Sequence, residues 1–146
     1  MSKSAAPNRW TAYLDAAMDG ASQQASYAHA LGLPPLSGWE AGKVYLTYKV
    51  APEMLNPAGS LFGGYLAALA DHAVALTIMT VLGPDEMFTT SDLRVSFFRP
   101  VLEGSLTITG RVVHRGRNMA HVEADFVRAD AKPAARATAT QVIFTR

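Results

Sequence analysis

The sequence predicts an α+β domain in which one antiparallel sheet curls around a long central helix. The stretch from Asn56 to Leu82 is almost wholly apolar after the pair Gly63-Gly64, which is typical of a helix buried on nearly every face. After this helix the apolar side chains recur at every second residue, as they do in strands. Short turns join these later strands and favour antiparallel neighbours, so a single sheet must cover the helix.

The composition fits one globular domain. The chain has 146 residues, and 49% of them are hydrophobic, which is enough for a core. A net charge of +1 provides no field for nucleic acid or an anionic membrane, so we expect neither as a partner. The absence of cysteine excludes thiolate chemistry and suits a cytoplasmic location. We expect no signal peptide, and Asp71 and His72 within the apolar run favour a buried helix over a membrane span.

The N-terminal third is predicted to cover one end of the core. Asn8 to Leu31 carries spaced apolar side chains, which predicts one or two helices with an interruption at Gly20. A lid over a pocket is the alternative role of this segment. The stretch from Gly32 to Gly42 contains two prolines and is predicted to be a loop. We therefore expect a helical segment and loop over residues 1–38 and a single sheet-and-helix domain over residues 39–146.

The strands follow from alternation. A first strand carries Val44, Leu46, Tyr48 and Val50 on one side, and the central helix that follows should end at Gly83-Pro84. Arg115 to Asn118 has the composition of a hairpin turn. The four strands predicted after the helix are Met87 to Phe98, Ser105 to Val113, Met119 to Ala129 and Ala134 to Thr145.

Gly63, Gly64 and Asp71 are the residues of the sequence that suggest a catalytic site. A glycine pair at a helix start lets free backbone N–H groups approach a ligand, and those groups favour developing negative charge. An ester or thioester carbonyl requires such an oxyanion hole, and a carboxylate in partly apolar surroundings can act as general base or nucleophile. A tight turn is the plain structural interpretation of the glycines, but the aspartate that follows favours catalysis.

The spacing of this constellation predicts a dimer. Gly63 and Asp71 lie about 12 Å apart along a helix that rises roughly 1.5 Å per residue. A single carbonyl can hardly contact both residues of one chain. We therefore expect a two-fold dimer in which Gly63 of one subunit faces Asp71 of the other, with two equivalent sites. A dimer of such dimers is also expected.

Three motifs together resemble one family. Asn56 to Asp71 reads N-x-x-G-x-x-F-G-G-x6-D and is similar to the N-x-x-G-x-x-H-G-G-x6-D signature of hotdog-fold acyl-CoA thioesterases of the PaaI-like branch. T-T-S-D-L-R-V-S-F-F-R-P, Thr89 to Pro100, resembles the second strand of that family. V-V-H-R-G-R-N-M-A, Val112 to Ala120, resembles its coenzyme A hairpin. The resemblance covers the chain from about residue 25 to its end.

The resemblance implies roles for individual residues. Asp71 would activate water or attack the thioester, the Gly63 N–H would polarise the carbonyl, Asn56 would orient water or the carbonyl, and Thr90 would supply a hydroxyl near the site. The only cofactor implied is coenzyme A, as part of the substrate. The residues expected to bind substrate or coenzyme A are Phe62, Gly64, Phe97, His114, Arg115, Gly116, Arg117 and Asn118.

Phe62 departs from the family pattern and keeps alternatives open. It stands where the family has a histidine that orients the thioester, so we expect reduced or redirected hydrolysis of aromatic or medium-chain acyl-CoA. The alternatives are an acyl-CoA-binding subunit with weak catalysis and a thioester dehydratase or hydratase. His72 should face away from Asp71, and the histidines lack partners at metal-ligand spacing, so no metal site is expected.

Overall fold

The computed structural model describes residues 6–19 and 25–146, which form a six-stranded antiparallel sheet and three α-helices. A short 3-10 helix at Pro52–Met54 leads towards the central helix. The elements in chain order are α1 (Arg9–Met18), α2 (Ser26–Leu31), β1 (Leu36–Glu40), β2 (Lys43–Lys49), α3 (Gly63–Met79), β3 (Glu86–Phe97), β4 (Ser105–Arg115), β5 (Met119–Arg128) and β6 (Pro133–Thr145).

The strand order confirms the predicted curled sheet around a long helix. The strands lie in the order β1-β2-β4-β5-β6-β3, and every neighbouring pair is antiparallel. The β4–β5 hairpin turns at residues 116–118, as predicted from its composition. β3 follows α3 in the chain but pairs with β6, so its other side is a free edge of the sheet. β1 and β3 are therefore the two edge strands of the sheet.

Helix α3 lies against the inner face of the sheet. Most of its 17 residues are buried, and the polar members of that buried set are His72 and Thr77. At Gly110 of β4 an added Cβ would lie 2.0 Å from the Thr77 hydroxyl oxygen, so only glycine permits this approach of helix and strand. Strands β2, β4, β5 and β6 face α3 with alternate residues, as the alternation predicted.

The prediction of a loop from Gly32 to Gly42 was wrong in part, because β1 lies within it. β1 pairs with β2 from Leu36 to Glu40, and its register shifts between Leu36 and Gly38. A short edge strand with an internal glycine and an irregular register carries no alternation that the sequence could show. The strand also spans the boundary that the sequence analysis set between residues 38 and 39.

A bulge in β3 changes which residues face the core. Thr90 pairs with Gln141 of β6, but the next paired residue is Asp92, so Ser91 is the extra residue. Before the bulge, the even-numbered residues Phe88 and Thr90 face inward. After the bulge, Leu93 and the odd-numbered residues that follow it face inward instead. All of these residues pair with residues on one face of β6, which shows that they share one side of the sheet. Simple alternation through Leu93 would have turned Thr90 outward.

The N-terminal helices pack over one end of the core. Asn8 caps α1 through a reciprocal capping box with Thr11, and Trp39 of β1 donates to Asp15 of α1 at 3.0 Å. α2 ends at Gly32, whose φ of 62° is left-handed and suits glycine. The interruption predicted at Gly20 lies outside the described residues.

Candidate active site

Two free backbone donors lie at the N-terminus of α3. Neither the Gly63 N–H nor the Gly64 N–H has a hydrogen-bond partner in residues 6–19 and 25–146. The preceding loop is fixed on both sides, since Leu61 N–H donates to Val101 O at 2.7 Å and Phe62 N–H donates to Met54 O at 2.9 Å. A helix start with free N–H groups and a fixed approach can bind a carbonyl oxygen or an anion.

Two aromatic rings flank these donors. The Phe62 ring folds back over Gly64, where an added Cβ would lie 2.6 Å from its Cε1. The Phe97 ring reaches the Cβ direction of Gly63, at 3.6 Å. Phe62 and Phe97 are 59% and 57% exposed, and a patch of neighbouring exposed apolar side chains marks an interaction or ligand-binding surface. Together with Asn56 and Ser60, Gly63 and Phe97 line a pocket of about 390 Å³, termed here the Gly63 pocket.

Asn56 organises the loop before α3. Its side-chain oxygen accepts hydrogen bonds from the N–H groups of Ala58 and Ser60, at 3.0 and 3.2 Å, and its amide nitrogen donates to the Ser60 hydroxyl at 3.0 Å. Its backbone N–H donates to Ser60 O at 2.7 Å. Gly59 completes the turn with a left-handed φ of 82°. Asn56 therefore fixes the loop that delivers the glycine pair.

Asp71 lies at the surface of the single chain, although the apolar helix sequence predicts a more enclosed carboxylate. The residue is exposed, and no ion pair involves it in the described part of the chain. Its Oδ1 lies 3.4 Å from the Thr90 hydroxyl, which in turn lies 3.0 Å from Gln141 Oε1. Exposure explains why this helix tolerates a carboxylate, because water can solvate it.

A second pocket, termed here the Asp71 pocket, has a volume of about 570 Å³ between α2, α3 and β3. Apolar side chains form most of its wall, and its polar members lie beside Asp71. The residues that line it are Tyr27, Leu31, Leu33, Ala68, Asp71, His72, Ala75, Met79, Phe88, Thr89 and Thr90.

A buried histidine orients Tyr27 in this pocket. Burial lowers the pKa of His72, so its ring is neutral near pH 7. His72 Nε2 lies 3.0 Å from Pro34 O, which can only accept, so Nε2 carries the proton and Nδ1 accepts from the Tyr27 hydroxyl at 3.1 Å. Burial, with Tyr13 and Asp71 nearby, raises the pKa of Tyr27 to about 12. The His72 ring is held between Pro34 and Tyr27, but it lines the same pocket as Asp71, so the prediction that it faces away from Asp71 is not confirmed.

The predicted catalytic residues fall into two groups within one chain. Asn56 and Gly63 line the Gly63 pocket, whereas Asp71 and Thr90 lie in the Asp71 pocket. The two pockets share no lining residue. Both border β3, the Gly63 pocket through Phe97 near one end and the Asp71 pocket through Phe88 to Thr90 near the other.

The β4–β5 hairpin presents one exposed arginine. Arg115 forms an ion pair with Glu86 and donates to Gly116 O, so it is tied to the fold. Burial raises the pKa of the Glu86 carboxyl, but the hydrogen bonds from Arg115 and the Gly83 N–H, together with the charge of Arg115, hold that pKa below its ordinary value. Asn118 accepts from Ile143 N–H through its backbone carbonyl at 2.8 Å. Arg117 and His114 are exposed at the hairpin.

Sequence reasoning missed three residues of these surroundings. Tyr27 and His72 form the polar side of the Asp71 pocket, and Gln141 lies behind Thr90. Gln141 could have been noticed, because it interrupts the inward-facing alanines of β6 with an amide. The Tyr27–His72 contact joins residues 45 apart and has no local signal. In residues 6–19 and 25–146 no cluster of three or more histidine, aspartate or glutamate side chains could hold a metal ion, and no helix could cross a membrane.

Comparison with known proteins places this geometry in a family. Residues 58–135 match the Thioesterase superfamily. A Saccharolobus solfataricus protein whose name places it among the esterases is 30% identical over 98 residues, 67% of this chain and 69% of the relative. The 1,4-dihydroxy-2-naphthoyl-CoA hydrolase of Listeria monocytogenes is 27% identical over 79 residues, 54% of this chain and 64% of the relative.

A solved structure agrees with the sequence relatives. The phenylacetic acid degradation-related protein of Ralstonia eutropha JMP134 has a TM-score of 0.78 and 30% identity, covering 89% of this chain and 98% of that protein. The resemblance to hotdog-fold thioesterases of the PaaI-like branch is confirmed. The chain therefore belongs to the Thioesterase superfamily and is a thioester hydrolase with the hotdog fold.

Proposed function

We propose that the chain hydrolyses acyl-CoA thioesters that carry an aromatic or medium-chain acyl group, at two equivalent sites of a two-fold dimer. The observation that carries this proposal is the separation of Gly63 and Asp71 into two pockets that both border β3. Each pocket holds one half of a hydrolytic site, a backbone donor or a carboxylate, and neither half suffices alone.

The free edge of β3 supplies a route to assembly. Two copies of this 12-residue strand can pair antiparallel across a two-fold axis. A pairing centred between Leu93 and Arg94 would set Phe97 of one copy opposite Thr90 of the other. The Gly63 pocket of each copy would then open onto the Asp71 pocket of the other. Such pairing would also cover the exposed Phe97 ring and satisfy the edge hydrogen bonds of β3.

The chemistry follows from the two halves. The thioester carbonyl oxygen accepts from the Gly63 N–H, which stabilises the negative charge that develops there. The Asp71 carboxylate takes a proton from water while the water oxygen bonds to the carbonyl carbon. The tetrahedral intermediate then collapses, the C–S bond breaks, and coenzyme A leaves as the thiol with that proton. Direct attack by Asp71 on the carbonyl, followed by hydrolysis of the resulting anhydride, is the alternative route.

The Asp71 pocket suits the acyl group. Its volume of about 570 Å³ and its mostly aliphatic and aromatic wall match an apolar acyl group rather than a charged one. The Ralstonia eutropha relative is described by its relation to phenylacetic acid degradation, which supports an aromatic acyl group. At the other end of the substrate, Arg117 on the hairpin is the exposed cation suited to nucleotide phosphates.

Replacement of the carboxylate tests the proposal. Asp71→Asn preserves shape and removes the base, so turnover of acyl-CoA should fall by at least about a hundredfold, the lower bound of general-base catalysis. Binding of free coenzyme A should be unchanged, because the carboxylate contacts the acyl end. Asp85→Asn is the matched control, since Asp85 is an exposed aspartate outside both pockets and outside the β3 edge. Full activity of Asp71→Asn would refute the assignment of this carboxylate.

A further inference from the structure

We propose that Gln141 is a positioning residue that fixes the Thr90 hydroxyl as a hydrogen-bond donor to Asp71. This inference rests on the proposed function of Asp71 and adds a residue that does not contact the substrate. The relay runs from the Gln141 amide nitrogen to the Thr90 oxygen, and from the Thr90 hydroxyl hydrogen to Asp71 Oδ1.

Gln141 is anomalous in its place on β6. Its side chain is 0% exposed and lies on the face of β6 that packs towards α3. Burial of an amide in an apolar face costs free energy unless its polar atoms are paired. The other buried residues of β6 on that face are Ala135, Ala137, Ala139 and Ile143.

The bulge in β3 brings Thr90 to this amide. Thr90 and Gln141 are directly paired across β3 and β6, and the extra residue Ser91 allows Thr90 and Leu93 both to face α3. The Thr90 hydroxyl oxygen consequently lies within 3.0 Å of the Gln141 carboxamide and 3.4 Å of Asp71. Side chains from α3, β3 and β6 therefore meet at the Thr90 hydroxyl group.

A count of hydrogens favours one direction of the relay. The Thr90 hydroxyl has one hydrogen, but it lies between two acceptors, Asp71 Oδ1 and Gln141 Oε1. At the same time the Gln141 amide nitrogen is buried without a partner in the described residues, although it has two hydrogens to donate. If the Gln141 carboxamide is rotated by 180°, its nitrogen and oxygen exchange places. The nitrogen then lies next to the Thr90 hydroxyl and donates a hydrogen bond to its oxygen. The Thr90 hydrogen is then committed to Asp71.

The consequence is an oriented carboxylate. Asp71 Oδ1 receives a fixed donor, whereas Oδ2 makes no hydrogen bond within the described residues and remains open to water or the thioester. Thr90 lies in the Asp71 pocket, whereas Gln141 is sealed behind it. Gln141 can therefore affect the reaction only through Thr90.

Side-chain amide NMR tests the relay without any need for activity. The two amide protons of Gln141 are assigned by their loss in Gln141→Met. Thr90→Val should move one of them upfield and speed its exchange with solvent, because its acceptor is gone. Thr77→Val is the matched control, since it deletes another buried hydroxyl of the core, one that bonds Ala73 O. If Thr90→Val changes neither the chemical shifts nor the exchange rates of the Gln141 amide protons, the proposal is overturned.

Kinetics of the single and double variants test the consequence. A hydrogen bond to a charged group is worth roughly a 10- to 100-fold effect, so Thr90→Val should lower kcat by about that factor and Gln141→Met by about 10-fold, with KM unchanged. The double variant should be no slower than Thr90→Val alone. A further loss from Gln141→Met in the Thr90→Val background would overturn the proposal. If neither the wild-type protein nor any variant cleaves acyl-CoA, the proposed function fails. The NMR measurement on the Gln141 amide protons would still show whether Gln141 donates to Thr90.

Discussion

Substitution of Gly63 by proline should remove one oxyanion donor without disturbing the helix that carries it. Gly63 is the first residue of α3, where proline is favoured because its missing N–H has no intrahelical partner. The preceding residue, Phe62, has φ −56° and ψ 126°, an extended conformation that is compatible with a following proline. The substitution thus deletes the donor and little else.

The size of the expected effect follows from the role of the donor. Loss of one oxyanion-hole hydrogen bond costs about 10²–10³ in kcat, so Gly63→Pro should lower turnover of acyl-CoA by that factor. Gly63→Ala keeps the N–H, and its Cβ would lie 3.6 Å from the Phe97 ring, an ordinary contact, so it should retain activity. Release of free thiol measures turnover, and the midpoint of thermal unfolding reports the fold. Equal activity of the two variants at equal stability would refute the role of this N–H.

Three further results are expected. Phe62→His places an imidazole at the α3 N-terminus and should raise turnover of simple acyl-CoA substrates; unchanged turnover would argue against orientation of the thioester from this position. Arg117→Ala should raise KM for acyl-CoA but not for a short N-acylcysteamine thioester, and equal effects on both would refute phosphate binding by the hairpin. Burial lowers the pKa of His72, so the folded chain takes up a proton less readily than the unfolded chain. The free energy of unfolding should therefore fall below pH about 6.5, by at most about 1.4 kcal/mol per pH unit, and His72→Gln should flatten that slope in urea titrations; an unchanged slope would contradict it.

Much of the fold could be predicted because its signals are local. The unbroken apolar run of α3 and the two-residue period of the later strands each lie within one stretch of sequence. β1 was missed because five residues with an irregular register carry too little pattern. The bulge at Ser91 was also beyond the sequence, since only pairing with β6 shows where the inward face changes phase.

The sequence predicted the main residues of the candidate site, but not the residues around them. The spacing between Gly63 and Asp71 already implied that one chain could not unite them, and the structure places them in separate pockets. The exposure of Asp71 was not foreseen, because an apolar helix sequence does not reveal which of its faces the sheet leaves open. Tyr27 and Gln141 reach the site from distant segments, so only the folded chain brings them together.

Mixed dimers test most directly whether each site draws Gly63 from one subunit and Asp71 from the other. Gly63→Pro and Asp71→Asn chains should each be nearly inactive, but a dimer with one of each should retain one intact site. If equal amounts of the two are unfolded together and refolded, about half of the dimers are mixed and carry one working site in two, so activity should recover to about a quarter of the wild-type value. Light scattering should show dimers or larger assemblies. Absence of recovery in a mixture that has exchanged subunits would contradict the shared site.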